Sequence, residues 1–228
     1  MSDLRILHRA PGWLVIDKPP ALPVHSGSDG KDVLTVLAAR FPGEPLAAAH
    51  RLDADTSGCL LVARTTPALR VLTRAFAERK IHKSYVAVVH GCPSPPAGEI
   101  FTHIGPRDRI STRMAVVDPG AGPPALTLYR TLGVIDGNAV LELIPVTGRT
   151  HQLRVHLRHL GHPILGDPLY SRPGPPSAGR LMLHACVLEF PDPACADAMI
   201  RVESAWSVLF HDMDIHAVMS GRTWSPPP

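Results

Sequence analysis

Three short stretches of this sequence hold most of the side chains that could do chemistry. The first is His50-Arg51-Leu52-Asp53-Ala54-Asp55-Thr56-Ser57-Gly58, directly before the apolar run CLLVAR at 59–64. Two acids, two side chains able to carry positive charge, two hydroxyls and a glycine crowd the mouth of a strand that must be buried. Such groups are costly there unless they satisfy one another, so their density points to a site rather than a polar turn. Leu52, wedged between Arg51 and Asp53, can anchor the loop to the core. The second stretch is TGRTHQLRVHLRHL at 147–160. On a helix, His151, Arg154 and Arg158 fall at i, i+3 and i+7, beside an apolar stripe of Leu153, Leu157 and Leu160. One face packs and the other presents a row of cations, which suits phosphates or a buried carboxylate because guanidinium binds both bidentately. Thr147 and Thr150 at its start can act as caps. The third is Lys83-Ser84-Tyr85 opening a strand, where a tyrosine in basic company can stack on a base and hydrogen-bond through its hydroxyl.

Other chemistries lack support. His151, His156, His159 and His162 lie close in sequence, but no cysteine is near, no H-E-x-x-H occurs and arginines interleave, so no metal site is expected. The glycine patterns for dinucleotides and nucleoside triphosphates are absent. Cys59, Cys92, Cys186 and Cys195 are scattered and form no C-x-x-C pair, which reads as reduced thiols. The net charge of +3 decides little by itself, but its distribution is uneven. Residues 51–113 hold ten Lys/Arg against five Asp/Glu, and 149–188 five Arg against one Asp. From 189 onward six acids face two arginines. Two basic stretches and an acidic tail suggest a positive working face and a nucleic-acid partner.

These stretches need elements to hold them. Strands are expected at 13–17, 59–64, 84–90, 126–132, 139–144 and 181–190, from apolar, β-branched or alternating runs. Helices are expected at 32–41, 67–80 and 150–160, the last ending at Gly161-His162-Pro163. Proline-rich clusters at 92–98, 118–125, 171–179 and 225–228 read as loops. Many strands, few helices and no steady βαβα rhythm predict an α+β fold with a mixed, mainly antiparallel sheet. With 228 residues, one domain covering 1–228 is expected. No apolar run approaches the roughly 20 residues that cross a bilayer, and the N-terminus carries charges in place of a signal sequence, so a cytoplasmic, non-membrane protein is expected.

At these residues the sequence resembles the RluA-type RNA pseudouridine synthases. The matching blocks are HRLDADTSGCLLVAR (50–64), KSYVAVVHG (83–91), TGRTHQLRVHLRHLGHPILGDPLY (147–170) and RLMLHA (180–185), with WLVIDKPPALPVH (13–25) similar to the family's opening strand and loop. They run in order from about residue 4 to residue 190. The resemblance implies flanking helices, a central RNA-binding cleft and isomerisation of uridine in RNA to pseudouridine. In that reaction the N1–C1′ bond breaks, the uracil turns and C5 bonds to C1′. Nothing is oxidised or hydrolysed, so no cofactor is implied.

By the same resemblance Asp53 matches the catalytic carboxylate, either adding to C1′ or taking the 2′ proton to give a glycal. Arg154 matches the arginine that pairs with it, and Tyr85 the tyrosine that stacks on the target uracil and assists proton removal from C5. Arg51 matches the arginine that replaces the extruded base in the stack. His50, Lys83, Arg149, His151 and Gln152 complete the expected RNA-binding set. Ala21 departs from the family, which usually has glycine in that loop, and residues 192–228 match its ending only loosely. A separate N-terminal RNA-binding domain is not expected, so substrate choice should fall to the cleft, with 104–124 as the specificity loop. A monomer with no obligate protein partner is expected, and the compact form resembles the branch that acts on a tRNA anticodon stem-loop and on large-subunit rRNA. The alternatives are a non-catalytic RNA-binding or RNA-folding protein on the same fold, which would be expected to lose Asp53 or Arg154, and a metal-dependent hydrolase.

Overall fold

The computed structural model describes residues 4–25, 31–108, 113–171 and 179–206. In chain order the elements are β1 (Arg5–Arg9), β2 (Trp13–Lys18), α1 (Val33–Arg40), β3 (Ala47–Ala48), β4 (Ser57–Ala63), α2 (Thr66–Ala77), β5 (His82–Val89), β6 (Ala97–Pro106), β7 (Met114–Val117), β8 (Pro124–Ile135), β9 (Asn138–Pro145), α3 (Gln152–His159), β10 (Leu183–Asp192) and β11 (Cys195–Glu203). The strands form one eleven-stranded sheet in the order β1-β2-β4-β10-β5-β9-β8-β6-β7, with β3 added on β4 and β11 on β10. Among the described residues every strand pairing is antiparallel except β4 with β10, so the α+β expectation holds.

That one parallel pairing joins the two halves of the sheet through only His184↔Ser57 and Ala185↔Gly58. Gly58 makes it possible. Its φ of +107° disfavours any side chain, and a Cβ there would sit 2.2 Å from the Ala185 carbonyl oxygen. Buried polar groups bind the seam: Ser57 Oγ lies 2.8 Å from His184 Nδ1, and His184 Nε2 lies 3.0 Å from Ser204 Oγ. Just beyond it β10 carries a bulge opposite Ser84 and Tyr85, the kind of irregularity that re-aims a side chain.

Alternation along the strands decides which face each helix covers. Leu14, Ile16, Leu60 and Val62 pack with Val33 and Leu37 of α1. Val15, Cys59, Leu61 and Ala63 pack with Ala68, Leu72 and Ala75 of α2. Side-chain caps start both helices, Asp32 accepting from Thr35 N–H and Thr65 from Ala68 N–H. Helix α3 lies against the other half of the sheet, with Leu153 and Leu157 in the main core and Val155 against Ile104 and Ala125. It ends as expected at Gly161, whose φ is +89°.

Three expectations change. The segment 104–124 is not loop throughout: among its described residues β6 runs to Pro106 and pairs with β7, and a turn follows at 118–123. The acidic tail contributes β11, whose alternating residues add an edge to β10 despite their charge. The row of cations on α3 does not form, because the helix begins at Gln152, His151 adopts a left-handed backbone, and Arg154 turns inward. The loop at 171–179 and the tail beyond 206 fall largely or wholly outside the described residues.

Candidate active site

The loop bearing Asp53 is held from three sides. Leu52 is buried in the core, as its apolar side chain predicts. A turn closes from Thr56 N–H to the Asp53 carbonyl at 3.1 Å, delivering the chain into β4. Lys18, fully buried at the end of β2, donates to the carbonyls of Pro19 (2.8 Å), Leu22 (2.7 Å) and Ala54 (2.7 Å). Three acceptors use all three ammonium protons, so one lysine fastens the opening loop to the Asp53 loop. Burial brings its pKa down to about 8, against the pull of Asp55 and Asp53.

Asp53 faces α3. Its Oδ2 accepts from Arg154 Nη1 at 3.3 Å, and its Oδ1 lies 4.0 Å from His151 Nε2. The stronger partner of Arg154 is Asp167: Nε donates to its Oδ2 at 2.8 Å and Nη2 to its Oδ1 at 2.7 Å. Asp167 Oδ1 also accepts from the N–H groups of Leu169 and Tyr170. The guanidinium, 5.2 Å from the Tyr170 ring centroid, is thus packed as well as paired. Burial alone would lower the pKa of Arg154, but the hydrogen bonds and charge of Asp167, with Asp53 behind them, raise it.

A cavity of about 340 Å³ opens beside Asp53. All nine side chains singled out from the sequence line it: His50, Arg51, Asp53, Lys83, Tyr85, Arg149, His151, Gln152 and Arg154. Its volume falls within the roughly 300–1,000 Å³ typical of small-molecule sites. Four of its charged walls are cationic and one is Asp53, which favours an anionic ligand with a neutral reacting group. Arg51 is exposed at its mouth. Arg149 is steadied by the Pro124 carbonyl at 3.0 Å. Lys83 sits 6.0 Å from the Phe76 ring centroid, and burial lowers its pKa. Tyr85 is 8% exposed, and burial, followed by the charge of Asp53, raises its phenol pKa.

His50 and Gln152 are committed to bonds that hold the scaffold. His50 Nε2 accepts from Leu61 N–H at 3.1 Å, and burial, with Lys83 nearby, brings its pKa down to about 3. This ring is neutral. Gln152 is buried, and its amide is fully used: Nε2 donates to Leu126 O and Thr127 Oγ1, and Oε1 accepts from Arg149 N–H and Thr147 Oγ1. Thr147 therefore serves the α3 start through Gln152 rather than as a cap, and the cap position is His151, with no side-chain capping bond.

Sequence reasoning missed Asp167, Tyr170 and Lys18. Asp167 is the one acid among residues 149–188, a signal that could have marked it as the partner of a buried arginine. The histidines of α3 and its flank disperse. His156 is fixed between Thr102 and Thr127, at 3.0 and 2.9 Å, and His162 lies 2.8 Å from the His90 carbonyl. Among the described residues no cluster of His, Cys, Asp and Glu is placed to hold a metal.

This arrangement has known counterparts. Residues 12–159 match the RNA pseudouridylate synthase family. A protein of Chloroflexus aurantiacus named as an uncharacterized RNA pseudouridine synthase is 43% identical over 183 residues, covering 75% of this chain and 56% of that protein. The dual-specificity RNA pseudouridine synthase RluA of Escherichia coli K12 is 38% identical over 207 residues, covering 86% of this chain and 90% of that one. Human RNA pseudouridylate synthase domain containing 1 superposes with a TM-score of 0.76 at 31% identity, over 89% of this chain and 83% of that one. The chain spans little more than half the length of several curated relatives, for instance 51% of ribosomal large subunit pseudouridine synthase D of Xanthomonas campestris. The family match takes in the Asp53 loop, the Tyr85 strand and the Arg154 helix, and the chain belongs to the RluA-type RNA pseudouridine synthase family.

Proposed function

We propose that this chain isomerises uridine in structured RNA to pseudouridine, with Asp53 as the reacting carboxylate. One observation carries the reading: an aspartate whose carboxylate accepts from a buried arginine, in a nucleoside-sized cavity whose other charged walls are cationic. A polyanion with an extruded neutral base fits that pattern of charge. Asp53 then acts at the sugar, by adding to C1′ or taking the 2′ proton. Arg154, donating to Oδ2, keeps its carboxylate aimed. Tyr85, with its phenol held protonated at neutral pH, suits stacking on the uracil better than removing the C5 proton.

Arg51, Lys83 and Arg149 are the cations we assign to the RNA backbone or the vacated stack. His50, neutral, and Gln152, with its amide fully bonded, are better suited to positioning their neighbours than to touching RNA. The chemistry needs no cofactor, since no electrons or water are exchanged. A tRNA anticodon stem-loop and large-subunit rRNA are the first substrates to offer, and a monomeric cytoplasmic enzyme without an obligate partner is the simplest assembly. Among the described residues no helix is long and apolar enough to cross a membrane.

The test is to incubate the protein and Asp53→Asn with unmodified tRNA and rRNA transcripts, without cofactor, and map pseudouridine at nucleotide resolution. New sites made only by the unaltered protein establish the activity and name the RNA. Tight binding without product would favour the non-catalytic reading.

A further inference from the structure

Backbone strain, burial and hydrogen bonding coincide at His151. Its φ is +56°, a left-handed conformation that disfavours any residue with a Cβ, yet its side chain makes no capping bond in return. The imidazole is instead held between Tyr170 and Asp53. Tyr170 Oη accepts from Met114 N–H at 2.8 Å and lies 2.8 Å from His151 Nδ1. With its lone pair used by Met114, the phenol proton is available to Nδ1. A neutral ring that accepts at Nδ1 carries its own proton on Nε2, the nitrogen 4.0 Å from Asp53 Oδ1. The opposite tautomer would set a lone pair against the carboxylate and leave the phenol proton without this acceptor. Burial outweighs the nearby carboxylates of Asp53 and Asp167, with Arg154 and Arg51 adding to it, and keeps the ring neutral.

We propose that His151 is a positioning residue for the Asp53 carboxylate, its Nε2–H kept on that nitrogen by Tyr170 so that Oδ1 faces a donor while Oδ2 faces Arg154. This rests on the assignment of Asp53 as the reacting group. The two oxygens then have distinct neighbours, and rotation of the carboxylate is opposed from both sides. The 4.0 Å gap is longer than a hydrogen bond; such contacts commonly tighten when substrate enters. Met114 begins β7, so the Tyr170–His151 chain also ties the β6–β7 hairpin to the reacting carboxylate.

The experiment measures single-turnover rate, RNA affinity and melting temperature for His151→Phe, His151→Gln, His151→Gly and Tyr170→Phe, with Asp53→Asn as control, on the transcript that the unaltered protein modifies. His151→Phe should slow turnover about 10- to 100-fold, the scale of a misplaced reacting group, with affinity unchanged within about twofold. His151→Gln, which can present an N–H at a similar reach, should recover most of the rate, and Tyr170→Phe should fall between. His151→Gly should melt higher while turning over slowly, a divergence that a purely structural role would not produce. If His151→Phe fails to fold, the Gln and Gly variants carry the comparison. Full rate in His151→Phe or His151→Gly, or a loss confined to affinity, overturns the proposal. Asp53→Asn separates the two failures: an inactive control leaves the assignment of Asp53 standing, and an active one removes it.

Discussion

Asp167 holds Arg154 through two nitrogens, at 2.7 and 2.8 Å, while the carboxylate of Asp53 meets the same guanidinium through one nitrogen at 3.3 Å. The division is chemically sensible. A group that reacts must not be locked by its partner, so a second, non-reacting acid fixes the arginine from behind. Arg154 is therefore oriented whether or not Asp53 is engaged with substrate.

The two aspartates should respond differently to substitution. Asp167→Ala leaves a buried guanidinium with only its weaker partner, and should cost about 3–5 kcal/mol in urea unfolding. Asp53→Asn keeps the shape and an oxygen that can still accept from Arg154 and removes only the charge of one long contact, so its cost should be about 1 kcal/mol or less, with turnover abolished. Equal losses of stability would contradict this division of roles.

Acid should weaken the fold before it protonates most carboxylates. Burial brings His156 and His184 down to about 4, and both are fully buried. An unfolded imidazole binds a proton below about pH 6.5, whereas these rings do so only near 4, so between those values the unfolded chain holds more protons. Stability is complete above that window and falls as pH drops through it, by about 2 kcal/mol per ring at pH 5. Urea midpoints at pH 7.5 and 5 measure the loss. His156→Gln should remove one proton from the slope, and an unchanged slope would exclude His156 as a contributor.

Two small residues with positive φ, Gly58 in β4 and Ala21 in the opening loop, should behave oppositely. Gly58→Ala forces a Cβ into the Ala185 backbone at the sheet seam and should destabilise by more than about 3 kcal/mol. Ala21 has a φ of +56°, which gives a physical reason for the glycine expected at this place in the family. Ala21→Gly should relieve up to about 1 kcal/mol of strain, read as a higher melting temperature. A lower one would mean that the lost methyl contacts outweigh it.

RNA binding should weaken as salt rises, because each neutralised phosphate releases counterions. Replacing Arg51, Lys83 or Arg149 by alanine should lower the slope of log affinity against log salt by about 1 for each cation that meets a phosphate. Replacing His50, whose ring is neutral, should leave that slope unchanged. Titrations at several salt concentrations distinguish the two groups.

The loops and helix that hold the site were legible in the sequence because their chemistry is local. HRLDADTSG places acids, hydroxyls and a glycine beside a strand, and the spacing of Leu153 and Leu157 in TGRTHQLRVHLRHL fixes which side of the helix packs. The main strands and all three helices follow from runs and caps only a few residues long. Strands β1, β3, β6, β7 and β11 were not legible, since they are short, edge or hairpin strands, several of mixed polarity, whose pairing is set by the strands beside them. The spacing left open whether Arg154 meets phosphate or a buried carboxylate, because a side chain at the border of a helix's packed face is turned inward or outward by what packs over it. Asp167 lies thirteen positions beyond Arg154 and meets it only because the chain folds back after Gly161. The residue types were set by the sequence; the pairing of Arg154 with two aspartates, the strained His151 and the one short parallel seam arise from contacts across the whole sheet.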